Sequence, residues 1–443
     1  MIVTLMTTSR LTAYSAKIPG IVAAITAAII ILMPFHAFLT VWLSSIFGHY
    51  TALRLWKEAV LVILGAKVMY MLIREKQLRK TFLASRLNQA ILVYVGLTLV
   101  LGSIAFALDK VTAEAFGYGL IVNLRFFVFF LIVWVVAQKV PKLFADWPRW
   151  LTWSLCLVIL LGLLQYFLLP YDFLRHFGYG EQTIFPYETI NHNIDDLRVF
   201  STLRGANPLG AYLLLTLSML LAAWRKQLRS WRGLLLAAAV VILFLTFSRS
   251  AWIGTVLSLV VIAWCSIRSE KVKKAGLLAA ACGIVVLAGA GFMLRGNTAV
   301  QNLVFHTNDK STVSISSNDG HASALKNGLK DIADSPLGDG VGSAGPASAH
   351  NDGKVELAED YFIQIGQEVG WLGTALFIFI NVLLALQLWS RRQDPLALGL
   401  LAALVGLTFV NLLSHAWTDD TLAYLFWGLA AIALARKPMK QVE

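Results

Sequence analysis

Five basic residues stand where a charge is costly. Arg249 sits between two hydroxyls in TFSRSAW, Arg198 and Arg204 flank the segment RVFSTLR, and Arg125 and Lys67 interrupt long apolar runs. An Arg at the centre of a membrane helix costs about 2.5 to 3.5 kcal/mol on insertion scales, so each of these positions invites a functional reading. A guanidinium is a planar fork of donors that matches phosphate oxygens and stays charged when partly desolvated. Arg198 and Arg249 together therefore suit the diphosphate of a lipid. Ordinary alternatives exist: Arg198 pairing with Asp195 or Asp196, and Arg125 or Lys67 satisfying a neighbouring helix. For a general base the chain offers Glu359, Asp360, Glu368, His321 and His350. The Glu359–Asp360 pair stands where a long polar stretch re-enters apolar sequence, close to an expected headgroup, and a base must lie within reach of the hydroxyl it deprotonates. His350, in ASAHNDGK, reads as a solvated loop residue, and Glu368 as a buried hydrogen-bonding residue of a helix.

These groups need a scaffold, and the composition says which kind. The chain has 443 residues, 58% of them hydrophobic and only 14% charged, against roughly 45 to 50% and 25% in soluble domains. A soluble enzyme is excluded. Apolar runs recur from Ile21 to Ala435, at about 21 to 43, 53 to 73, 88 to 108, 118 to 137, 150 to 169, 208 to 224, 233 to 247, 251 to 267, 275 to 293, 365 to 389, 396 to 414 and 421 to 435. Each crossing takes about 20 residues, so the expectation is an all-α polytopic protein of about twelve transmembrane helices, a single membrane domain over residues 1–443. The run from Ile21 is too long for the core of a cleavable signal.

The net charge of +12 follows from topology and does not imply nucleic acid. With the N-terminus inside, the inner connections hold 23 of the 37 Lys and Arg residues, as the positive-inside rule expects. Among them are REKQLRKTFLASR from Arg74, RKQLRSWR from Arg225, and the tail from Arg436. Both termini are thus expected in the cytoplasm. Two long outer connections remain, about 170–207 and about 294–360, and loops of that length are usually functional or disordered. The second contains the polar HTNDKSTVSISSNDG from His306, an amphipathic helix over His321 to Ile332, the glycine-rich SPLGDGVGSAG and AEDYFIQIGQEVG. That mixture favours a small, partly helical cap outside the membrane. Cys156, Cys265 and Cys282 all lie in apolar runs and argue against a disulfide framework. No HExxH or paired CxxC appears, and the adjacent pairs Asp195–Asp196 and Asp419–Asp420 are a weak metal signal.

Four segments resemble the O-antigen ligase and polymerase superfamily of membrane glycosyltransferases: RVFSTLRGANPLGAYL, TFSRSAWIG, DSPLGDGVGSAG and YFIQIGQEVGWLG, in that order from about Arg198 onward. The resemblance implies an undecaprenyl-diphosphate glycan as donor, held by Arg198 and Arg249, and a catalytic residue in the large outer loop; Arg204, by its position, is a further candidate for the diphosphate. In the family that residue is commonly a histidine in an HN pair ahead of the YLQ-like segment. Aligned on YFIQIGQEVG, its slot holds Glu359 here, followed by Asp360. His350 with Asn351 makes a literal HN nine residues earlier. Glu359 is the preferred base, because a carboxylate can accept a sugar hydroxyl proton. The expected activity is metal-independent, inverting transfer of a glycan to an acceptor glycan or glycolipid outside the inner membrane, with no cofactor. The rival is a transporter or lipid-linked glycan flippase, which shares the twelve-crossing plan but commonly shows internal repeats. No repeat is visible.

Overall fold

The structure is a computed structural model that describes residues 19–190, 193–225, 227–228, 231–267, 269–271, 274, 293, 317–352 and 360–435. Eleven of the twelve apolar runs fall on described helices, and the ninth, about 275 to 293, lies outside the described residues except at its last position. Helix α1 (Pro19–Phe47) passes through a 3-10 turn at Met33–Phe35, where Pro34 has no N–H to contribute to an α-helical ladder. A short α2 (Tyr50–Arg54) leads into α3 (Trp56–Arg74), α4 (Lys76–Ala84), α5 (Arg86–Ala107), α6 (Ala113–Lys139) and α7 (Trp147–Phe167). After a small hairpin of β1 (Glu188–Ile190) and β2 (Asn193–Arg198) come α8 (Ala206–Trp224), α9 (Trp231–Leu245) and α10 (Arg249–Ser266). Helix α11 (Ser317–Asp334) precedes α12 (Tyr361–Ser390), α13 (Pro395–Asn411) and α14 (Asp420–Ala435).

Seven described helices are long and apolar enough to cross a bilayer: α1, α5, α6, α7, α8, α10 and α12. The shorter α9, α13 and α14 are also apolar. The protein is an all-α polytopic membrane protein. Its centre is α14, buried at every position from Thr421 to Ala435, as expected of a helix that is hydrophobic on all sides. Helix α14 packs on α6, α13 packs on α8 and α10, and α12 packs on α5. The surrounding helices turn Val62, Ile63, Val93, Val256 and Phe379 outward, a surface that only lipid tails would solvate well.

Two elements differ from the sequence expectation. The basic connection from Arg74 contains a helix, α4, because Leu78 and Phe82, one turn apart, are buried, with Phe82 against Trp134. The connection 170–207 contains the two-stranded hairpin, with Glu188 opposite Arg198. Contacts gather the basic connections at one end of the bundle. Lys139 meets Glu75, Gln138 Nε2 donates to Ala435 O at 2.8 Å, and an Arg391 amine donates to Ala433 O at 2.8 Å.

The opposite end carries the cap. Helix α11 covers the expected His321 to Ile332. The glycine-rich turn that follows is locked onto α6 and α12: Asp339 N donates to Gln367 O at 2.8 Å and Gly342 N to Glu368 Oε1 at 2.9 Å. Gly342 has φ +94° and a Cβ there would strike the carbonyl of Ala115, so only glycine fits. Glu368 is fully buried and also accepts from Asn123 Nδ2 at 2.7 Å, a structural role in line with the reading of its helix. Thr112 closes the turn through Asn351 Oδ1 at 3.0 Å and His350 O at 2.7 Å.

Candidate active site

At the cap end, Arg198, Arg204 and Arg249 line one cavity of about 680 Å³. They arrive from three elements. Arg198 closes β2. Its Nε donates to Thr246 O at 2.9 Å, one terminal amine donates to Asn207 Oδ1 at 2.7 Å, and the other stands 3.6 Å from Glu188. Arg249 opens α10 immediately after the turn Thr246–Ser248, in which Phe247 takes φ +51°. A bulky residue in the left-handed region is strained, and such strain concentrates at functional sites. Ser201, three residues ahead of Arg204, does the same at φ +52°. Helix α8 can approach Arg249's turn because Gly210 faces it: a Cβ there would lie 2.8 Å from Ala251 Cβ and 3.0 Å from Ser248 Cβ. Ser258 Oγ donates to Ala402 O at 2.8 Å and fixes α10 to α13.

Among the described residues, the cavity lining carries three arginines against one carboxylate, Asp419. Burial pulls the Arg198 guanidinium below its ordinary value; Glu188 opposes that, and the like charge of Arg249 adds to it. Cations held that close gain from an anion between them. The remaining wall includes His415, Asp419 and Thr418 from the turn between α13 and α14, with Asn207, Pro208 and Ser250. That turn is rigid. Trp417 N donates to Asn411 Oδ1 at 3.2 Å, Thr418 Oγ1 to His415 O at 2.8 Å, and Leu422 N to Asp419 Oδ1 at 3.1 Å. Burial pushes the Asp419 carboxyl up, with Arg204 acting against it.

Arg204, Thr418 and Asp419 also border a narrower cleft on the α1–α3–α6 side, lined by His36, Tyr50, Arg54, Lys57, Glu58, Tyr118 and Arg125. Its floor is an ion cluster whose basic members, His36, Lys57 and Arg125, are buried. Asp420 accepts from Lys57 Nζ at 2.8 Å, lies 3.3 Å from His36 Nε2 and is in contact with Arg125, while Glu58 lies 3.1 Å from Lys57. Arg125 also donates to the carbonyl of Thr418. Arg125 thus satisfies neighbouring helices, one of the two readings its position allowed. Lys67 is exposed on α3 and lines neither cavity.

The other sequence-derived residues fall elsewhere. Asp360 caps α12, its Oδ1 accepting from Phe362 N at 2.7 Å and Ile363 N at 3.2 Å, and it lines neither cavity. Burial raises its carboxyl, against those two amides. Glu359 lies outside the described residues. His350 stands at the cap surface with Nδ1 2.7 Å from Glu114 Oε1 and its ring 4.8 Å from that of Tyr118. Sequence reasoning passed over His415, Lys57, Glu58 and His36. The signal for His415 was the polar string SHAWTDD between two apolar runs, which only the folded turn brings to the arginines.

Residues 233–378 match the family model described as O-antigen ligase. The matched part runs from α9 through Arg249, α11 and the glycine-rich turn into α12, whereas Arg198, Arg204 and the His415 turn lie outside it. The comparison with curated proteins gave no match. Residues 233–378, which contribute Arg249 and most of the cap, thus carry an O-antigen ligase domain, and this match supports the O-antigen ligase/polymerase superfamily.

Proposed function

We propose that the protein is a glycosyltransferase that takes a glycan from a polyprenyl-diphosphate donor, of the undecaprenyl kind, and passes it to a hydroxyl of an acceptor glycan or glycolipid. The observation that carries this reading is the convergence of Arg198, Arg204 and Arg249 on one cavity at the cap end of the bundle. Guanidiniums on fixed elements hold a diphosphate bidentately and stabilise the charge that develops as it leaves. The donor is already activated, so binding the leaving group and positioning the acceptor supply most of the rate. Direct attack by the acceptor oxygen on the anomeric carbon, without a covalent intermediate, inverts that centre. Glu359, with Asp360 beside it, is the proposed carboxylate that receives the acceptor's proton. The arginine end faces out of the inner membrane and both termini face the cytoplasm, because the basic connections gather at the other end.

The test is reconstitution of the purified protein in liposomes with lipid-linked glycan and candidate acceptors. Release of polyprenyl diphosphate, with glycan lengthening or moving to a new acceptor, is the expected result. Movement of intact donor between leaflets without release would instead support a flippase.

A further inference from the structure

His415 lies in the wall of the arginine cavity, and nothing in the diphosphate reading gives it a role. Among the described residues lining that cavity, the titratable groups other than arginine are His415 and Asp419. Asp419 is buried and its Oδ1 accepts from the amide of Leu422, which commits it to starting α14. His415 is only partly buried, and it rides on a turn held at both ends. Its carbonyl accepts from Thr418 N at 3.1 Å and Thr418 Oγ1 at 2.8 Å, and the Thr418 carbonyl is in turn gripped by Arg125. His415 thus lines the same space as the three guanidiniums, on a turn whose backbone is fixed by hydrogen bonds.

Resting on the glycosyltransferase reading, we propose that His415 is the general acid of the transfer, delivering a proton to the phosphate oxygen that is uncovered when the glycan leaves. In the donor both phosphates are esterified, so each carries a single charge throughout the neutral range. When the bond from the anomeric carbon to oxygen breaks, the electron pair stays on the terminal phosphate, which gains an oxygen with a pKa of about 6. An imidazolium, ordinarily titrating near ~6.5, is matched to that oxygen. The acceptor oxygen forms the new bond to the anomeric carbon and its proton passes to the base. The proton of His415 passes to the leaving diphosphate, and the two groups then reset through water. Arg198 on β2, Arg204 ahead of α8, Arg249 on α10 and Asp419 ahead of α14 are the charged groups that share the cavity with the ring. The arginines bind the diphosphate before and after the step, whereas the histidine acts during it.

The test uses the full-length protein in liposomes with the lipid-linked donor. His415→Gln, which keeps a hydrogen-bond donor but cannot give up a proton in this range, should retain the donor KM within a few fold. Its kcat should fall about a hundredfold. The wild type should lose kcat as pH rises through the imidazole range, and His415→Gln should lack that limb. Wild-type kcat and an unchanged pH profile in His415→Gln would overturn the proposal. So would a native protein whose kcat shows no alkaline limb, a measurement that stands even if the variant does not fold. A wild type that releases no polyprenyl diphosphate at all would instead remove the glycosyltransferase reading, and this inference with it.

Discussion

The side chain of Arg198 donates to the backbone carbonyl of Thr246 at 2.9 Å, tying the end of β2 to the turn from which α10 begins. Val199 N repeats the tie one residue on, donating to Leu245 O at 3.0 Å. Two arginines 51 positions apart in the sequence are therefore set on one short bridge of backbone.

That bridge makes the proposed donor site testable. Hydrogen bonds to charged groups contribute about 1.5 to 3 kcal/mol, so Arg249→Ala should lower donor use at least about tenfold while leaving expression in the membrane intact. Arg249→Lys should restore only part of it, because an ammonium lacks the planar fork. Turnover is read in liposomes across a donor titration; wild-type values in both Arg249→Ala and Arg198→Ala would refute the diphosphate role.

Arg125 predicts a different phenotype. Its side chain is 6% exposed and contacts Asp420 and Glu58, so Arg125→Ala leaves these partly buried carboxylates with Lys57 as their remaining shared cation. Breaking such a pair costs about 3 to 5 kcal/mol. A large fall in melting temperature in detergent is expected, compared with Lys67→Ala, where an exposed position should change stability by about 0.5 kcal/mol or less. Equal melting of the two variants would contradict the ion cluster.

Asp360 gives a pH signature. Its carboxyl is raised by burial, against the pull of the Ile363 and Phe362 amides, so the folded protein binds this proton more readily than the unfolded chain does. The stabilisation is full below the unfolded pKa, about 4, and is lost as pH rises through the higher folded value. Asp360→Asn keeps a capping oxygen and cannot ionise. Its stability relative to the wild type should therefore increase as pH is raised above about 4, while Asp360→Ala should lose about 1 kcal/mol of capping. Melting curves across the acid range decide this, and a pH-independent difference for the asparagine variant would count against it.

Glu359 and His350 are separated by rate. Glu359→Gln preserves size and polarity but removes the proposed base, so the loss should fall on kcat by about 10² to 10⁴ and spare donor binding. His350→Ala should be nearly silent, since its Glu114 partner is 74% exposed and surface pairs contribute about 0 to 1 kcal/mol. An active Glu359→Gln beside a folded, dead His350→Ala would transfer the role to the histidine.

Orientation is checked by thiol labelling in intact cells. Cysteines at Ser230 and Ser269 should be protected from an impermeant reagent, and one at Ser316 should react, as the distribution of basic residues requires. Labelling at Ser230 from outside would invert the assignment of every site residue.

The membrane class, the helix runs and the arginines at Arg198 and Arg249 were legible in the sequence, because each is a local property. Twenty apolar residues demand lipid, and a charge at a helix mouth announces itself by its cost. The amphipathic His321 to Ile332 was legible for the same reason. The sequence could not say that Arg204 and His415, 211 positions apart, share a wall. Nor could it say that Asp360 turns its carboxylate back to cap α12 while Lys57, Arg125 and Asp420 neutralise one another. Those outcomes depend on which helices pack together. The packing is set by close approaches such as Gly210 against Ser248 and Ala251, and small residues carry no label of the partner they will meet. The tertiary structure alone brought Arg198, Arg204, Arg249 and His415 to one cavity, because helix packing rather than local sequence decides which element ends meet.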